Sequence, residues 1–140
     1  MPYSTQADLL NQLTQAELVQ LTDDDATGSV DSAKVDAALT AASATIDAYA
    51  GARYTLPLQT SEKVKQLCVD LAIYELEKRR RRVREATLAA RDAALSFLRD
   101  LARGRAVLDQ PAGAQPQASE ADVKKTEQDR IFSDDNLQNF

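Results

Sequence analysis

The sequence predicts an all-α protein: a small bundle of about four to five helices with a long, extended C-terminal tail. Three observations predict it. Apolar side chains recur at steps of three and four through most of residues 5–103. Ala, Leu and charged residues dominate, whereas aromatics make up 5% and Trp is absent. Strand-type runs of β-branched and aromatic residues are missing. A chain of 140 residues suits one domain. The periodicity stops near residue 108, which divides the chain into a helical domain over 1–108 and a tail over 109–140.

Thr5-Gln6-Ala7-Asp8 and Thr14-Gln15-Ala16-Glu17 both resemble N-terminal caps. The second is a full capping box, in which the Thr oxygen and the Glu carboxylate satisfy opposite orphan amides. Short helices over about 5–12 and 15–21 follow, with Leu9, Leu10, Leu13, Leu18, Val19 and Leu21 as one apolar side. Asp23 to Asp31 is a polar loop whose last residue is placed to cap the next helix. Val35, Ala38, Leu39, Ala42, Ile46 and Tyr49 then predict an amphipathic helix over 32–50, ended by Gly51. Its Ala-rich face admits a second helix at close range.

Pro57 has no amide hydrogen and pushes Leu56 towards an extended conformation, so Arg53, Tyr54, Leu56, Pro57 and Leu58 form a structural turn. The turn is ordered if its Tyr and Leu side chains are buried. Thr60 or Ser61 caps a further helix whose arc of Val64, Leu67, Cys68, Leu71 and Tyr74, with Val69, Ile73 and Leu76 beside it, makes it the central core element. The pattern runs through Lys78 to Arg84 and resumes with Leu88, Leu95, Leu98 and Ala102, flanked by Phe97 and Leu101, before Gly104 ends it. Residues 61–103 fit either one long helix or two helices hinged near 80–86; a compact bundle favours the hinge.

From Asp109 the character changes. Pro111, Gly113 and Pro116 interrupt any period, and large apolar groups return only at Ile131, Phe132, Leu137 and Phe140. On so polar an arm these side chains have nothing of their own to pack against, which marks them as an anchor for a partner. Extended at roughly 3.3 Å per residue, the arm could reach on the order of 100 Å.

Net charge is −5, distributed in stripes: two basic against eight acidic residues in 1–60, twelve against seven in 61–108, and three against seven in 109–140. Such stripes suit head-to-tail assembly, in which the acidic part of one copy faces the basic part of the next, although solvated helix faces would look the same. Lys78, Arg79, Arg80, Arg81, Arg82 and Arg84 place six cations within seven residues. They fit a protein contact, a solvated face or phosphate contact, with Glu75 and Glu77 spaced to form helical ion pairs with Arg79 and Arg81. No aromatic stacking residues accompany the run. Asp23, Asp25, Thr27, Gly28 and Asp31 match positions of a calcium-binding EF-hand loop, but Lys34 stands where the bidentate Glu belongs, and a turn with a capping Asp explains the same residues.

There is no His, no nucleophile–base pair, no phosphate loop and no zinc spacing, so an enzyme is not expected and no cofactor is implied. Cys68 reads as a small buried hydrophobe in a reducing compartment. The sequence shows no leader and no apolar run of membrane-spanning length, so no membrane partner is expected and the protein is expected to be made and used in the cytoplasm or in a particle assembled there.

Four stretches together resemble the Mu-like prophage neck proteins, a family of tailed-phage head–tail connector or adaptor proteins. They are Leu21-Thr22-Asp23-Asp24 with Gly28 and Val30-Asp31; Ile46-Asp47-Ala48-Tyr49 with Arg53 to Leu58; Ala94 to Gly104; and Arg130-Ile131-Phe132-Ser133-Asp134-Asp135 ending in Phe140. The resemblance implies a virion protein of the phage neck, assembled in the host cytoplasm as a homo-oligomeric, dodecameric ring. Its partners would be the portal protein above and a downstream neck or tail-completion protein below, with packaged DNA passing through without specific binding. Arg130, Ile131, Phe132, Leu137 and Phe140 would then anchor the tail on portal or neighbouring subunits. The Arg run with Asp23, Asp24 and Asp25 would supply electrostatics towards a neighbour or the portal. The connection near 80–86 is shorter and richer in Arg than the family's. The rival expectation is a small nucleic-acid-binding phage regulator that uses the basic run.

Overall fold

The computed structural model describes residues 1–110, and these form five α-helices and no strand: α1 (Gln6–Leu10), α2 (Gln15–Thr22), α3 (Ser32–Ala50), α4 (Glu62–Arg79) and α5 (Glu85–Ala102). The hinge reading of 61–103 is the correct one. Long α3, α4 and α5 pack on one another, and short α1 and α2 lie against α3 and α4. The first two helices open with capping boxes, since Thr5 and Thr14 accept the amides of Asp8 and Glu17 while those carboxylates return to the cap amides. Asp31 caps α3 through the amides of Ala33 and Lys34, and Ser61 rather than Thr60 caps α4.

One continuous core runs through the bundle. Leu39, Ile46, Val64, Leu67, Leu76, Leu98 and Leu101 are almost wholly enclosed, and Cys68 lies among them near the Ser43 hydroxyl. Ala38, Ala42 and Ala50 bring α3 close to its neighbours. The apolar sides differ from the sequence reading at two positions. Leu10 and Leu88 are exposed; α5 buries Leu98 and Leu101 as expected but adds Thr87 and Ala94, because the break before it resets its rotation relative to α4. Leu108 is buried as well, with its amide donating to the Tyr54 hydroxyl.

The turn of residues 53–58 is ordered as its composition requires. Tyr54 and Leu58 are buried, Leu56 points outward, and the Leu56–Pro57 peptide is cis. Gly51 ends α3 in right-handed geometry, and the chain continues in tight turns in which the Tyr54 amide bonds back to the Ala50 carbonyl.

Candidate functional site

A helix leaves its last carbonyls without partners, and α2 is too short to spare them. The basic run and Lys34 of α3 supply donors. Arg80 Nε donates to the Gln20 carbonyl at 3.1 Å, Arg79 Nη2 to Leu21 at 2.6 Å, Lys34 Nζ to Thr22 at 3.1 Å and Arg80 Nη2 to Asp23 at 2.7 Å. Cations here also oppose the negative end of the helix dipole. Asp24 ties the same cations together: Arg79 grips it with both terminal nitrogens at 2.7 and 2.9 Å, Lys34 lies at 2.8 Å and Arg80 at 3.1 Å. Hydrogen bonds from Arg79 and Lys34 hold the Asp24 carboxyl far below the usual carboxylate range, and the same contacts raise Lys34.

This arrangement corrects the expected helical ion pairs. Glu75 meets Lys78 at 3.2 Å, not Arg79, and Glu77 meets Arg84 at 2.6 Å, not Arg81. A ladder at four-residue spacing needs helix through Arg81, and α4 stops at Arg79. The stop is a Schellman turn: the Arg82 amide bonds to the Glu77 carbonyl, the Arg81 amide bonds to Lys78, and Arg81 takes the left-handed conformation at φ +56°. The buried Glu77 carboxylate then accepts the Arg84 backbone amide at 2.9 Å, where α5 starts without a side-chain cap, and Arg84 reaches on to Glu17 at 3.2 Å.

The run and the acidic loop, read from sequence as surfaces for other molecules, therefore meet within one chain. Arg79, Arg80 and Arg84 are engaged internally. Arg81 and Arg82 are exposed, and neither makes a side-chain ion pair among the described residues. Asp23 is turned inward to its own loop, accepting the Thr27 and Gly28 amides at 3.0 and 2.7 Å, while Asp25 is exposed. Lys34 occupies the twelfth position of the EF-hand pattern with its ammonium 2.9 Å from Asp31, and no cluster of three metal-type ligands occurs among the described residues. No helix of the described residues is long and apolar enough to cross a membrane.

Arg53, Tyr54, Leu56, Pro57 and Leu58 lie in the turn near the other end of α4, away from the basic run. Arg130, Ile131, Phe132, Leu137 and Phe140 fall outside the described residues. Sequence reasoning missed Tyr3. Its hydroxyl donates to Asp47 and accepts the Leu58 amide, and its own amide donates to Ser43, pinning the N-terminal segment to α3 and the turn. Burial first, and the Asp47 bond second, push this phenol up to about 12. A lone aromatic before the first cap carries no periodic signal that could have disclosed it.

Among the described residues the protein is a small all-α bundle of five helices, in which Asp24 with Lys34, Arg79 and Arg80 clasps the end of α2. The chain belongs to the family described as Bacteriophage Mu, Gp36, which matches residues 3–126. It is also similar to the Mu-like prophage FluMu protein gp36 of Haemophilus influenzae, with 42% identity over 79 residues. That alignment covers 56% of this chain and 56% of the relative, so the chain spans little more than half the length of the curated protein it matches. The family relation fits the resemblance to Mu-like phage proteins carried by the first three stretches; the fourth, at residues 130–140, lies outside the matched residues.

Proposed function

We propose that this Mu-like phage protein is a structural component of the particle, a head–tail adaptor subunit that joins the portal to the downstream neck or tail-completion protein. In this reading the subunits close into a dodecameric ring in the virion neck after assembly in the host cytoplasm, DNA passes through the ring without specific binding, and the subunit performs no chemistry of its own. One observation favours it over the nucleic-acid-binding regulator: Arg79, Arg80 and Arg84 already hold protein carbonyls and carboxylates. Non-specific DNA affinity grows with the number of phosphates neutralised, and the two cations left free at the turn, Arg81 and Arg82, supply little of it.

The polar composition of the arm ending in Ile131, Phe132, Leu137 and Phe140 supports attachment to another molecule, and in this reading those side chains are buried in the partner. Each would contribute about 1.5–3 kcal/mol of transfer energy, less the cost of ordering the chain. Deleting residues 111–140 is expected to leave a folded helical domain by circular dichroism and to abolish completion of portal-containing heads. A truncated protein that still completes heads would refute the assignment of the anchor. Tight, salt-dependent binding of free duplex DNA by the intact chain would favour the regulator.

A further inference from the structure

The turn between α4 and α5 leaves an opening that the described residues do not fill. A cleft of about 400 Å³ is lined by Gln20 and Leu21 of α2 and by Arg80, Arg82 and Arg84 of the turn. Two carboxylates also line it, Glu17 and Glu77, and Arg84 already pairs with both. Arg82 has no side-chain partner among the described residues, and Val83, next along the chain, is exposed. An unengaged guanidinium beside apolar surface suits a segment that brings a carboxylate and a large apolar group together.

We propose that this cleft receives residues 129–135 of a second copy of the chain, Asp129-Arg130-Ile131-Phe132-Ser133-Asp134-Asp135, in a head-to-tail contact. Charge complementarity selects the segment. Asp134 and Asp135 answer Arg82 and the neighbouring Arg81, while Arg130 answers Glu17, which is partly exposed. Phe132 supplies a ring for Leu21 and for the face of a guanidinium. Placement suits a second copy, with the chain's own cleft left as an outcome of the test. Gln110 is fastened to the backbone of Gln59, just before the start of α4, whereas the cleft lies beyond the end of α4. At 1.5 Å per residue, the 18-residue helix separates the two places by about 27 Å. An arm that departs from one end and a receptor at the other give a heterologous contact, which repeats from copy to copy.

The test uses the full-length protein alone, so it does not depend on the head–tail reading: failure here with head completion intact removes only this inference. Sedimentation velocity should show concentration-dependent association that weakens with salt. Arg82→Glu should weaken it by about tenfold or more, as should the double change Asp134→Arg with Asp135→Arg, with far-UV circular dichroism unchanged because Arg82 is exposed. Mixing the two variants, which presents each altered arm with an altered or an intact cleft in another copy, should restore association. A chain that stays monomeric at every concentration tested overturns the proposal, as does association indifferent to both variants. A chain that stays monomeric but sediments as a more extended particle when either variant is made would place the arm in its own cleft and overturn the second-copy assignment.

Discussion

Tyr3 shows how much one side chain outside any helix can hold. Its hydroxyl bridges Asp47 on α3 and the Leu58 amide in the turn, so Tyr3→Phe removes a donor and leaves a buried amide unpaired. The expected cost is about 1–3 kcal/mol, seen as a lower Tm. The same residue sets a pH dependence. A phenol that titrates near 10 when unfolded and at about 12 when folded keeps its proton longer in the folded state, so stability falls as pH rises from 10 to 12. The loss across that window is on the order of 2 kcal/mol, and Tyr3→Phe should flatten it in chemical denaturation at pH 9 and 12. The caps at Thr5, Thr14 and Asp31 were legible because a cap is a local pattern. The pairing of Tyr3 with Asp47 and Leu58 and of Asp24 with Arg79 was not, because each partner lies more than forty residues away and leaves no periodic trace.

At the scale of the helix, α4 and α5 end in the same Schellman geometry with different residues in the left-handed position. Gly104 occupies it after α5 at φ +75°, with the Arg105 amide bonded to the Asp100 carbonyl, and Arg81 occupies it after α4. This explains why the sequence announced one stop and left the other open: glycine advertises a left-handed residue, and arginine does not. The two positions should respond oppositely. Gly104→Ala places a Cβ 2.5 Å from Arg53 Nη1 in a conformation that disfavours side chains, and should destabilise by about 1–2 kcal/mol. Arg81→Gly relieves the same kind of strain and should stabilise by up to about 1 kcal/mol, net of the greater freedom of glycine in the unfolded chain. Thermal melts of the two single variants decide the matter, and a stabilised Gly104→Ala would mean that the turn is not held as described. Helix identity came from periodicity, whereas the rotation of α5, which exposes Leu88 and buries Thr87, followed from a turn that no period encodes.

For the whole molecule, the stripes of charge are partly folded onto one another inside a single copy. The acidic loop after α2 and the basic end of α4 are remote in sequence and meet at Asp24, so only the remainder faces outward. This clasp fixes how the molecule should respond to acid. Asp8, Glu17, Asp23, Asp24 and Asp31 are all held below their ordinary values by hydrogen bonds to amides, hydroxyls or cations. Depressed carboxyls contribute stability that is complete above the unfolded value near 4 and is lost as pH falls below it. Asp70 is shifted upward by burial and works in the opposite sense, but it is a single group. Four of the five depressed carboxyls lie in α1, α2 or the loop that follows, and Asp31 caps the start of α3, so acid should loosen the N-terminal layer before the packed α3–α5 core. Asp24→Asn should lower Tm at pH 7 and make its decline below pH 4 shallower than in the unaltered chain, because the group that titrates most strongly has gone. Amide exchange at pH 3, followed residue by residue, should show protection lost in α2 while Leu67 to Leu76 remain protected; simultaneous loss in both would show that the clasp and the core unfold as one unit.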